Sequence, residues 1–144
     1  MVTINPYLNF MGKTEDAFNF YKSIFGGKFA TFQRFKDVPG GEKMTEADQE
    51  KIMHVSLPIG NGNVLMGTDA LESMGQSITA GNNFYISVSP ESEAHAEELF
   101  NKLSGGGEIT MPLDKAFWGA YFGMLVDKFG IQWMVNYDLN QQTK

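Results

Sequence analysis

The sequence predicts an α+β fold of two tandem βαβββ modules, forming one curved mixed sheet with helices on its outer face and a concave cavity on the other. Three observations predict it. An alternating segment followed by helical spacing occurs twice, as "INPYLNF" then "TEDAFNFYKSIF", and as "NNFYISVS" then "SPESEAHAEELFNKL". Each helical segment ends in a glycine run, "IFGGKF" at 24–29 and "LSGGGEI" at 103–109. The halves also superpose: at an offset of 78, Asn5 falls on Asn83, Leu8 on Ile86, Phe10 on Val88 and Gly27 on Gly105. Later the offset is 68, so that Leu57 falls on Leu125, Gly62 on Gly130 and Met66 on Met134. A supersecondary unit that repeats buries its apolar faces by joining its copy.

In the first module, residues 1–70, strands are expected at about 3–10, 28–36, 52–59 and 63–69, with a helix at 14–25. Ala17, Phe20, Tyr21 and Ile24 give that helix its apolar stripe, with Thr14 as N-cap. In the second, residues 82–137, strands are expected at 82–89, 107–113, 119–127 and 131–137. Its helix, 91–103, carries Ala96, Leu99, Phe100 and Leu103 behind Ser89 as cap and Pro90 in the first turn. The offset change requires a ten-residue insertion in the first module. "DVPGGEKMTEADQEK" at 37–51 supplies it, polar and Gly/Pro-punctuated, as a mobile loop. "GNGN" at 60–63 reads as a tight strand-to-strand connection.

The totals bound the function. A chain of 144 residues suits one domain spanning 1–144. There is no cysteine, so there is no disulfide framework and no thiolate nucleophile or metal ligand. The N-terminus lacks a basic region ahead of an apolar run, and no run approaches a membrane span, so a cytoplasmic protein is expected. A net charge of −6 repels phosphate backbones and anionic lipid, which argues against nucleic-acid and membrane partners. Nine methionines suit an irregular core or an adaptable binding surface.

The segments "NPYLNFMGKTEDAFNFYKSIFGG", "MHVSLPIGNGNVLMGTD" and "FWGAYFGMLVDKFGIQWMVN" resemble the vicinal-oxygen-chelate superfamily of glyoxalase I, bleomycin-resistance proteins and extradiol dioxygenases, and more narrowly its PhnB-like branch. Enzymes of this superfamily hold a divalent ion with His, Gln or Glu on the concave face, where it polarises substrate oxygens. The matching positions here are Asn5, Met66, Asn83 and Met134. An amide oxygen is a weak neutral ligand and a thioether suits soft ions, so no metal site and no cofactor are expected. Some PhnB-like relatives carry a ubiquinone methyltransferase label, yet no segment resembles a methyl-donor-binding motif. The resemblance also implies a homodimer.

Strand alternation assigns the remaining faces. Phe84, Ile86 and Val88 belong to the core, leaving Asn83, Tyr85 and Ser87 on the cavity side; Asn5, Tyr7 and Asn9 do likewise. Ile131, Trp133 and Val135 are core, with Gln132, Met134 and Asn136 opposite. Trp118, Ala120, Phe122 and Met124 face the cavity, as does His54, since Met53, Val55, Leu57 and Ile59 form the core side of its strand. Arg34 shares a face with Phe32 and is assigned to the cavity as a partner for an anionic ligand; His95 is a solvated helix residue, and Asp69 and Asp127 are turn residues. The ligand set is therefore Tyr7, Arg34, His54, Met66, Asn83, Tyr85, Trp118, Phe122, Met124 and Met134. The expected function is metal-free binding of a hydrophobic or aromatic small molecule, with a cationic one favoured by the acidic net charge. The alternatives are a glyoxalase- or dioxygenase-type metalloenzyme, or an isomerase-like enzyme with His54 as catalytic base.

Overall fold

The computed structural model describes residues 2–140. The elements run β1 (Tyr7–Phe10), α1 (Thr14–Phe25), β2 (Thr31–Arg34), α2 (Glu46–Gln49), β3 (Ile52–Gly60), β4 (Asn63–Asp69), β5 (Ile86–Val88), α3 (Glu93–Ser104), β6 (Glu108–Lys115), β7 (Ala120–Val126) and β8 (Gln132–Asp138), with short 3-10 turns between some of them. The chain divides into two compact units between Thr79 and Ala80, and each contains one βαβββ module. No helix among the described residues is long and apolar enough to cross a membrane.

In the first unit the strands form a four-stranded sheet in the order β1-β4-β3-β2, with β1 parallel to β4 and the other pairs antiparallel. The β3–β4 turn is the expected tight one: Asn61 and Gly62 both take positive φ, 53° and 80°, as a two-residue hairpin matching strand twist requires. Helix α1 packs on β3 and β4. Its buried stripe is Thr14, Ala17, Phe18 and Tyr21, so Phe18 takes the core place expected of Phe20. Gly67 explains why: a Cβ there would lie 2.5 Å from the Phe18 ring, and no larger residue leaves room for that approach. Leu8, Val55, Leu57 and Leu65 complete this core.

In the second unit the order is β5-β8-β7-β6, again with one parallel pair, β5 with β8. Helix α3 packs on β6, β7 and β8, burying Ala96, Leu99, Phe100 and Leu103 as its spacing predicts. Phe100 sits on Gly123, where a Cβ would come within 2.6 Å of the ring. Trp133, 2% exposed, lies on this core side and donates its indole N–H to Asp127 Oδ2 at 2.8 Å.

Several expectations change. Thr14 is the first helical residue of α1 rather than its cap; the helix N-terminus is instead met by Asp69, described below. The cap of α3 is Ser92, whose side chain accepts from the His95 N–H at 3.0 Å, so Ser89 and Pro90 precede the helix. β5 starts only at Ile86, and Phe84 is 59% exposed rather than core, its carbonyl accepting from Gln132 Nε2. At the far end of β3, Ile59 is 36% exposed rather than core. The insertion 37–51 holds 3-10 turns and α2 rather than being structureless. Buried Asp48 pins it, accepting from Lys51 Nζ at 3.0 Å and Ser73 Oγ at 2.6 Å. Those hydrogen bonds hold the Asp48 carboxyl below its ordinary pKa, Ser73 contributing most.

Candidate functional site

Opposed residues in a β-ladder share a face. In the first unit Tyr7 opposes Met66, Met66 opposes Ser56, and Gln33 opposes His54. Gly67, Leu8 and Val55, on the other parity, meet α1. Tyr7, Met66 and His54 therefore stand together on the face turned away from the helix, as the alternation predicts. Tyr7 leans across the intervening strand so that its Oη lies 2.9 Å from His54 Nδ1, sharing a hydrogen bond, with the rings 5.6 Å apart. Burial raises the pKa of the Tyr7 phenol above its ordinary value, so it stays protonated. Sequence reasoning places both residues on one face but not their bond, because a reach across the intervening strand follows from rotamer and twist rather than from spacing.

In the second unit, β7 and β8 set Phe122 against Asn136 and Met124 against Met134, while Met111 of β6 opposes Met124. Trp118 stacks edge-on against Phe122 with centroids 5.5 Å apart, and Phe117 against Trp118 at 5.1 Å. Trp118 remains 53% exposed and Phe117 98%. This gives a thioether and aromatic surface on the side opposite α3, with Ser87 opposing Met134 on the same face. Tyr85 and Asn83 precede β5; Tyr85 is half-buried and Asn83 exposed. Gln132 is consumed structurally by the Phe84 carbonyl.

Arg34 is a correction. It does share a face with Phe32, its guanidinium lying 5.2 Å from that ring, but Phe32 opposes Val55 on the helix side. Arg34 clamps Glu15 of α1 with two bonds of 2.9 and 2.8 Å and donates to the Glu50 carbonyl at 2.7 Å. Three of its N–H groups are committed within the fold, and the Glu15 carboxylate already balances its charge.

Asp69 is the second correction, since it is more than a turn residue. At 3% exposure its Oδ1 accepts from Gly12 N, Thr14 N and Thr14 Oγ1, and its Oδ2 from Ile52 N. It fills the N-terminus of α1, the place where a strand–glycine–helix turn could otherwise hold an anion. Asp127 is likewise 3% exposed and binds Phe129 N and Ile131 N through Oδ1, closing the β7–β8 turn. His95 accepts from the Glu91 N–H at the start of α3 and is half-buried there.

The positions matching the superfamily's metal ligands do not form a donor set for its usual ions. Asn5 Oδ1 accepts from the Val64 N–H at 2.9 Å, extending the sheet edge beyond β1. Met66 and Met134 offer only thioethers. Among the described residues no group of three or more His, Asp or Glu side chains is placed to hold an ion. A groove of about 450 Å³ in the first unit is lined by Asn9, Ala70, Gln76, Ser77, Ile78 and Thr79, sharing only Asn9 with the residues expected on the cavity side.

The family described as 3-demethylubiquinone-9 3-methyltransferase matches residues 2–136. The chain belongs to this family. Among solved structures, protein PA1353 from Pseudomonas aeruginosa is 36% identical, covering 96% of this chain and 98% of that one at a TM-score of 0.85. A putative 3-demethylubiquinone-9 3-methyltransferase, PhnB protein, from Bacillus cereus is 27% identical over 94% of this chain and 99% of that one, TM-score 0.75. A glyoxalase/bleomycin resistance protein/dioxygenase family enzyme from Burkholderia phytofirmans PsJN shares the fold at 17% identity, 92% and 97% coverage and TM-score 0.61. The PhnB-like assignment within the vicinal-oxygen-chelate fold therefore holds for this chain.

Proposed function

We propose that this PhnB-like protein is a small-molecule binder that takes a hydrophobic or aromatic compound without a metal ion, working as a cytoplasmic homodimer. The observation that carries the reading is the surface of Trp118, Phe122, Met124 and Met134. It is a set of large apolar side chains on a sheet face opposite the helix, with Trp118 still 53% exposed. Flat ligands bind such surfaces by stacking and by dispersion against polarizable thioethers. The net charge of −6 favours a cationic ligand through the long-range field.

The test uses the two tryptophans. Trp133 is buried and bonded to Asp127, so its emission serves as the internal reference, whereas Trp118 is open. Titration with acridine orange and related flat cations is expected to quench emission saturably with a Kd of about micromolar order. Trp118→Phe is expected to abolish the saturable part. If no compound of a broad panel binds better than about millimolar, the reading is wrong.

A second reading, an isomerase-like enzyme with His54 as base, draws on the Tyr7–His54 hydrogen bond. It requires the outward ring nitrogen of His54 to be unprotonated and free to take a proton.

A further inference from the structure

We infer that Asp114 selects for positive charge at the second unit's aromatic surface, its carboxylate accepting from a protonated amine N–H on a flat ring that lies against Phe122 and Trp118. This rests on the small-molecule binding reading and names the contact that makes a cation the preferred ligand. It adds a local partner to the long-range field of the net charge.

Two contacts to α3 fix which way Asp114 faces. Tyr121 donates to Glu97 at 2.9 Å, and Lys115, opposite Tyr121 in the β6–β7 ladder, brings its Nζ to 3.8 Å from Glu93. Tyr121 and Lys115 therefore lie on the helix side. The next pair along the ladder is Asp114 with Phe122, and neighbouring residues of a strand turn to opposite faces, so both point away from α3. Opposed pairs hold their Cβ atoms about 5 Å apart, which puts the carboxylate at the flank of the Phe122 ring. On the other flank stands Asn136 of β8, a neutral amide. A ring lying on Phe122 thus meets a carboxylate on its β6 side and an amide on its β8 side.

The strands around this pair bring no cation to the same face. The charged residues of β5–β8 are Glu108, Asp114, Lys115 and Asp138, and Lys115, the single cation among them, is turned to α3. Among the described residues no Lys or Arg pairs with Asp114: Lys102 pairs with Glu98, and Lys115 with Glu93. Asp114 is exposed, and the contact it makes is local, its Oδ1 accepting from the Lys115 N–H at 2.8 Å. A carboxylate has acceptor capacity well beyond one backbone N–H. Trp118, its ring inclined at 70° to that of Phe122, adds a π face that also favours a cation. A neutral ring gains stacking alone, whereas a cationic one gains stacking, the π face and a charge-assisted hydrogen bond.

The test compares two rings of the same plane: 9-aminoacridine, a cation carrying N–H groups, and acridine, which is neutral at mildly alkaline pH. Saturable quenching of Trp118 gives both affinities. The parent protein is expected to bind 9-aminoacridine more tightly by about tenfold, with the margin shrinking as salt is raised. Asp114→Asn keeps an acceptor for the Lys115 N–H. It is expected to cut that margin about fourfold, the size of a partly solvated ion pair, while leaving acridine affinity unchanged. Glu108→Gln is the control. It removes the same charge from the same face, but opposite Val126 rather than Phe122, about 13 Å along β7, and its margin is expected to match the parent's. A parent without the preference, a margin untouched by Asp114→Asn, or one cut equally by Glu108→Gln overturns the inference and spares the binding reading, since both acridines still quench. No saturable quenching by either acridine would sink both.

Discussion

In the first unit the N-terminus of α1 is held by Asp69, fifty-five residues from Thr14 in sequence, while α3 in the second unit is capped by Ser92, three residues before the N–H it binds. The remote carboxylate also takes the Ile52 N–H, so it joins helix, β3 and β4 in one buried node. The local cap only finishes its helix. The strand-to-helix fastenings differ too: Arg34 ties edge strand β2 to α1 through Glu15, whereas Tyr121 of the inner strand β7 donates to Glu97 of α3 at 2.9 Å. That bond raises the Tyr121 pKa, with burial adding to it. Even the ring-on-glycine packing sits on different strands, Phe18 over Gly67 of β4 and Phe100 over Gly123 of β7. A repeat conserves the arrangement of elements, because that follows from the order of periodicities. It leaves each copy free to fasten them differently.

The sharpest way to break this comparison is to remove the caps. Asp69→Ala leaves buried N–H groups without an acceptor and is expected to cost about 3 kcal/mol, while Ser92→Ala costs about 1 kcal/mol at an exposed helix end. Urea midpoints at unchanged slope measure both. Equal losses would mean that the Asp69 node is no more than a second N-cap.

Next come the glycines. Gly123→Ala pushes a Cβ to 2.6 Å from Phe100 and 2.9 Å from the Leu113 Cα, and backbone cannot swing aside. Gly67→Ala meets chiefly the Phe18 ring, with the Leu8 carbonyl at 3.2 Å. We expect losses of about 3 and about 2 kcal/mol respectively, with Phe18→Leu recovering part of the second and Phe100→Leu little of the first. A double-mutant cycle showing equal recovery in both units would contradict the assignment of the clash to backbone in one and ring in the other.

The smallest effect is the Arg34–Glu15 pair. Its hydrogen bond from Arg34 holds the Glu15 carboxyl below its ordinary value of 4.5, burial opposing and charge attraction assisting. A carboxylate with a lowered folded pKa contributes stability that is present above its unfolded pKa and lost as pH falls through the folded one. Arg34→Met is therefore expected to lower stability at neutral pH by about 0.5 kcal/mol, small because Glu15 is partly solvated, and to match the parent once the pH is below the folded value. A constant difference at all pH values would show that lost packing on Phe32, rather than charge, is what the substitution removes.

How much of this was legible beforehand depends on the interaction involved. The face assignments of Tyr7, His54, Phe122, Met124, Met134 and Trp133 follow from a period of two and match the ladders observed. The two modules and the Asn-Gly hairpin turn were equally legible, since glycine runs, spacing and the offset superposition are local or internally repeated signals. Arg34 shows where alternation stops: it shares a face with Phe32 as expected, but alternation within a strand does not say which side that strand turns to the helix, and the pairing of Phe32 with Val55 puts both on the helix side. Phe20 and Ser89 were misassigned for a related reason, as neighbouring candidates at similar spacing are separated only by what they meet across the core.

The sequence by itself determined that two βαβββ modules would form, roughly where most of their strands run and which side of most strands is apolar. Those properties depend on residues close in the chain or on the repeat. Only the tertiary structure decided that Asp69 caps a helix fifty-five residues away, that Arg34 is spent on Glu15, and that Tyr7 reaches His54 across a strand. Each of these is a directional contact between polar groups, settled by ångström-scale placement of side chains that hydrophobic periodicity does not encode.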